Sequence, residues 1–75
     1  MLAPELRLID DAGHQIVRVQ YDHFGAEYAY TWDGRDALEE GDQVIIELAR
    51  YRQATVIGLG SDWAGALDPV HEKLP

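Results

Sequence analysis

Every second residue from Tyr28 to Trp32 is aromatic, with Tyr28, Tyr30 and Trp32 alternating with Ala29 and Thr31. Successive side chains of a strand point to opposite faces, so an extended backbone gathers these rings on one side, whereas helical steps of about 100° scatter them. The pattern calls for a β-sheet whose aromatic face serves as core, as binding platform, or as both. Two further stretches share the period. Over residues 14–22, Val17, Val19 and Tyr21 fall on one face and Ile16, Arg18, Gln20 and Asp22 on the other. Over residues 43–49, Val44, Ile46 and Leu48 share a face, and Ile45 and Glu47 lie opposite. Residues 53–59 are rich in the β-branched side chains that suit a pleated surface. A short first strand is expected at residues 5–9, where Leu6 and Leu8 alternate with Glu5 and Arg7.

The segments between these runs read as turns. Asp10-Asp11-Ala12-Gly13, His23-Phe24-Gly25 and Asp33-Gly34 carry the residues that turn geometries demand. The connection over residues 35–42 holds Asp36, Glu39, Glu40 and Asp42, with Leu38 as its one large apolar side chain, placed to plug an end of the core. A helix over residues 37–52 is the rival reading. Gly41 and the consecutive Val44, Ile45 and Ile46 weaken it, since glycine and β-branched residues are poor helix formers. Short strands at strands 5–9, 14–22, 26–33, 43–49 and 53–59 suffice for an all-β, five-stranded SH3-like barrel, which removes exposed sheet edges. Residues 1–60 form that barrel, with Val17, Val19, Tyr28, Tyr30, Val44, Ile46 and Val56 as its core. Residues 61–75 follow as a C-terminal loop or tail, packed through Trp63 and Leu67 and then fraying.

A chain of 75 residues is one domain with a small core and modest stability. It has no cysteine, and its three histidines, His14, His23 and His71, are too far apart for a local zinc motif. A closed sheet or a homo-oligomer is the remaining means of support. No apolar run approaches the roughly 18 residues of a membrane span, and the N-terminal residues lack the pattern of a signal peptide. A soluble, cytoplasmic protein is expected. The charge is −8, from 14 Asp plus Glu against 6 Lys plus Arg. Such a balance repels phosphate backbones, which are bound by neutralising them with Lys and Arg. It favours solubility and a basic protein partner.

Three segments carry a resemblance. Tyr28-Ala29-Tyr30, residues 38–46 (LEEGDQVII) and residues 54–59 (ATVIGL) resemble the amino-terminal domain of PriA-type replication-restart helicases. In that family a Phe-Asp-Tyr strand, a Gly-x-x-Val-x-Val-Pro-Phe-Gly strand and a Gly-Val-Val strand build a small β domain that binds the 3′ end of a DNA strand. The likeness covers somewhat less than half of this chain. Ala26-Glu27 stands where the family has Phe-Asp, so the ring that could stack on a terminal base is missing. Glu47-Leu48-Ala49 stands where it has Pro-Phe-Gly, and Arg50 and Arg52 follow. A reduced single-strand-end binder using Glu27, Arg50 and Arg52 is the alternative this implies. The whole chain, including its GLGSDWAGAL stretch, is also similar to small proteins encoded by bacteriophages of actinobacteria. That second resemblance implies a host-cell setting, in which a phage product acts by binding a host or phage protein.

Catalysis finds little support in the residues. Asp10-Asp11 and Glu39-Glu40 are adjacent pairs, and neighbours do not converge on one substrate as an acid/base pair must. The histidines lack a nucleophile setting, Asp33-Gly34-x-Asp36 lacks the spacing of a calcium loop, and Gly58-Leu59-Gly60 is not a phosphate loop. No cofactor and no metal is expected. The reading is a non-enzymatic interaction module, with Tyr28, Tyr30, Trp32 and Trp63 as aromatic anchors and Glu39 and Glu40 as steering charges. An acidic decoy occupying the site of a DNA-binding protein is a further variant of it.

Overall fold

The alternating segments become strands in the computed structural model, which describes residues 6–21, 25–34, 36–50, 52–63 and 65–75, with Leu48 by its backbone alone. Five strands form one sheet: β1 (Gln15–Gln20), β2 (Tyr28–Trp32), β3 (Gln43–Glu47), β4 (Arg52–Leu59) and β5 (Glu72–Lys73). Their order is β2-β1-β4-β3-β5 and every neighbouring pair is antiparallel. The fold is all-β, and the sheet curls into a half-barrel of the small β-barrel kind. Among the described residues the only helical segment is a 3-10 turn, Leu48–Arg50.

Alternation sets the register. Val17 faces Tyr30 and Val19 faces Tyr28 across β1 and β2, which lays the aromatic row on the valine row. The curl comes from two irregularities. Between Arg18 and Val19 the partner on β4 skips from Gly58 to Val56, and between Ile45 and Glu47 the partner skips only from Gln53 to Arg52. An extra residue on one strand of a pair bends that strand and sharpens its twist. The sheet therefore wraps around its own apolar face.

Residues 68–74 then reach both edges of the curled sheet. The amide of Thr31 on β2 donates to the Asp68 carbonyl at 3.0 Å, and the amide of Val70 donates to the Thr31 carbonyl at 2.7 Å. Further on, the His71 amide donates to Ile45 and the Leu74 amide to Gln43 of β3, both at 2.9 Å. One short segment thus satisfies backbone groups on β2 and on β3, and Val70 between them is buried. The core consists of Val17, Val19, Leu38, Val44, Ala54, Val56 and Val70, with Tyr21, Tyr30, Trp32 and Ile46 packed against it.

Several local expectations change. The described part of residues 5–9 makes no strand. It lies as a strap with bridges only at Arg7 to Ser61 and Ile9 to Gln15, and Leu6, Leu8 and Ile9 stay exposed because the barrel interior is already filled. The fifth strand comes instead from the tail. That tail does not pack through Trp63, which is 58% exposed, but through Val70. Tyr28 is exposed at the end of its row, and Ile46 is only partly buried. Conversely, Ile16 and Ile45 are buried although each points away from its strand's core face. Ile16 is covered by the strap, whose Leu8 carbonyl accepts its amide.

The turns follow their chemistry. An Asp10 carboxylate oxygen accepts from the amides of Ala12 and His14, and Gly13 takes a φ of 85°. Leu38 does plug the core, at 1% exposure. Of the turn expected at His23-Phe24-Gly25, residues 23 and 24 lie outside the described residues.

Candidate functional site

A groove of about 600 Å³ lies beside β2. Its lining includes Ala29 and Arg18 from the outward rows of β2 and β1, but also Tyr28 and Tyr30 from the inward row. Residues of both faces contribute, so the groove runs along the strand's edge. The opposite wall is made by residues 61–63 and 66–68, bringing Asp62, Trp63 and Asp68. Here the wall and the strand diverge, after meeting at Thr31.

Arg18 lies on the floor of this groove. It pairs with Gly58 in the neighbouring strand, and a Cβ at Gly58 would collide with Arg18 Nη2. Glycine in a strand interior often marks such a close approach, and here it makes a seat for the guanidinium. Arg18 Nη1 donates to Glu27 Oε1 at 3.2 Å, while its Nε is buried without a partner among the described residues. The Glu27 contact holds the one cation that lines the groove among the described residues. Asp62 and Asp68 take part in no ion pair among the described residues.

The aromatic anchors divide. Tyr28 and Trp63 are 48% and 58% exposed and line the same groove. Tyr30 lines it too but is tied inward, its hydroxyl 2.8 Å from that of Tyr21. Tyr21 in turn lies 5.5 Å from the Tyr28 ring and carries the Arg52 guanidinium 4.3 Å above its centroid. Trp32 does not reach the groove. It packs against the core and donates its indole N–H to the Asp36 carbonyl at 2.7 Å.

Burial, followed by the hydrogen bond shared with the Tyr21 hydroxyl, pushes the Tyr30 hydroxyl well above the ordinary tyrosine value of 10.0, with Arg52 pulling weakly the other way. An acid whose folded-state value is raised keeps its proton longer than in the unfolded chain. The contribution is complete below about pH 10 and is lost as pH rises above that toward the folded value. We therefore expect stability to fall on the alkaline side of pH 10, with one tyrosine failing to ionise before unfolding. Tyr21→Phe should bring that titration down. Tyrosinate absorbance followed against circular dichroism checks this, and ionisation of all tyrosines together near pH 10 would contradict it.

The charged candidates lie elsewhere. Glu39 and Glu40 are exposed in the turn before β3, which is braced by the Glu39 amide donating to Asp42 Oδ2 at 2.8 Å and by Gly41 at a φ of 97°. They do not line the groove. Of the residues read for single-strand-end binding, Glu27 is in the groove wall, while Arg50 stands 3.8 Å from Glu47 and Arg52 lies over Tyr21. The structure does not bring the two arginines to Glu27. Arg18, Ala29, Asp62 and Asp68 were missed, and the signal that could have found Arg18 is Gly58 amid β-branched residues. Among the described residues no three His, Asp or Glu are placed to hold a metal ion, and no helix is long and apolar enough to cross a membrane. Comparison with protein families, curated proteins and solved structures returns no match to this chain.

Proposed function

We propose that this chain is a non-catalytic protein-interaction module, working in the cytoplasm of a bacterial host in the phage setting its sequence resemblance implies. One observation carries the reading. Tyr28 and Trp63, distant in sequence, are both about half exposed in one groove. A small core has every reason to bury large rings, and tyrosine and tryptophan left outside together are the residue types that dominate binding energy at protein interfaces. The acidic turn with Glu39 and Glu40 adds long-range attraction for a basic partner.

The test is quantitative capture from an actinobacterial lysate. Wild-type protein should retain a specific protein that Trp63→Ala loses. Charge reversal by Glu39→Lys with Glu40→Lys should slow association and reduce its salt dependence, as for steering charges at an interface rim. Fluorescence anisotropy with a short single strand bearing a free 3′ end should show no binding at about 0.15 M salt, where charges are screened beyond roughly 8 Å. Micromolar DNA binding abolished by Arg50→Ala with Arg52→Ala would overturn the proposal.

A further inference from the structure

We infer that the groove beside β2 receives an extended, lysine- or arginine-bearing segment of the partner, which adds to the open edge of β2 at Ala29. The inference rests on the protein-interaction reading and goes further, naming the occupant and how it is held.

The first support is the backbone. In an antiparallel pair, residues alternate between those that exchange hydrogen bonds with the neighbour and those whose amide and carbonyl point the other way. Thr31 turns its amide and carbonyl outward, to Asp68 and Val70. Ala29, two residues back, therefore presents its own pair to the same edge. Among the described residues that pair has no backbone partner beyond the sheet, because residues 66–68 have swung away from β2 and become the far wall of the groove. An unpaired strand edge is a template for another strand, and its hydrogen bonds give affinity without fixing sequence.

The second support is charge. Among the described residues three carboxylates line the groove, those of Glu27, Asp62 and Asp68, against the single guanidinium of Arg18, which Glu27 already engages. An incoming cation meets Asp62 and Asp68 unopposed, and an incoming carboxylate or phosphate is repelled by both. The third is the pair of exposed rings. Tyr28 and Trp63 offer faces to a cation that is partly desolvated in the groove, an attraction strongest for tryptophan. Because side chains of an added strand alternate, every second one points to the walls. A segment alternating lysine with a β-branched residue fits this arrangement.

Anisotropy with a fluorescein-labelled eight-residue peptide alternating valine and lysine tests this, alongside its valine–glutamate counterpart and an oligothymidine of equal length. The lysine peptide should bind in the micromolar range and the other two should not. Trp63→Ala, Asp62→Asn with Asp68→Asn, and Ala29→Pro should each weaken it about tenfold or more, the usual effect of removing a hot-spot contact. Ala29→Pro deletes an outward N–H and no bond to β1, so the fold should survive, and the surface variants keep the test decisive if it does not. Preference for the glutamate peptide, or absence of peptide binding by the wild-type protein, overturns the inference. So does a lysine peptide lost by Glu39→Lys with Glu40→Lys but unaffected by the groove variants. In that last case a basic partner meets the acidic turn and the interaction reading stands, and lysate capture that depends on Trp63 judges that reading separately.

Discussion

A chain ending at residue 67 should fail to fold cooperatively. Besides the β5–β3 ladder, the deleted stretch supplies four amide-to-carbonyl bonds to Thr31, Ile45 and Gln43, two of them on β2 and two on β3. At about 0.5–1.5 kcal/mol net for each bond, their loss is about 2–6 kcal/mol. Exposing the Val70 site adds about 1.5–3 kcal/mol, since that side chain is buried in the core. A domain of this length has about 4–11 kcal/mol of stability in all, at roughly 0.05–0.15 kcal/mol per residue. Deletion therefore removes an amount comparable to the whole. Dispersed amide resonances and a sigmoidal denaturant transition in the truncated protein would show that residues 68–74 merely lie on a barrel stable without them.

The second large effect is expected at Leu38. Its side chain is 1% exposed, and Gln15 pins its backbone from the neighbouring strand, the Gln15 amide group donating to the Leu38 carbonyl and the Leu38 amide donating back, both at 2.8 Å. The surroundings are held on a sheet and cannot easily collapse into a void. Leu38→Ala should accordingly cost about 2–5 kcal/mol, the usual range for emptying a buried leucine site. Gln15→Ala should cost less, about 1–3 kcal/mol, because it strands one donor and one acceptor without opening the core. Ile46→Ala should also fall below Leu38→Ala, since that site is only partly buried. Equilibrium denaturation of the three variants orders them, and a Leu38→Ala midpoint equal to wild type would place Leu38 outside the core.

The sheet was legible wherever a single period governed a run of residues. Val17, Val19, Val44 and Val56 were readable as core because each sits in an alternating stretch, and Leu38 because it is the one large apolar side chain in a charged connection. What escaped were features set by other parts of the chain. Ile16 and Ile45 are buried by segments that cross the outer face, which no pattern within their own strands encodes. Val70 lies in a stretch with no period, and only its pairing with Thr31 makes a core residue of it. The strap ran the other way. Leu6 and Leu8 carry a fair alternation, yet the volume they would have filled belongs to Val70 and Leu38. The site was half legible: the aromatic strand and Trp63 pointed to it, while the roles of Arg18, Asp62 and Asp68 depend on where residues 61–63 and 66–68 lie against β2.

The short gap at Ala29 bears on how the protein keeps to itself. The open stretch of β2 at Ala29 offers neighbouring copies a place to begin edge-to-edge aggregation. Two copies meeting there would each bring Glu27, Asp62 and Asp68 to the same seam, and like charges at close range oppose that pairing. The carboxylates that favour a foreign cationic strand are thus gatekeepers against self-association. Neutralising them to raise stability or yield would exchange a selective edge for a sticky one.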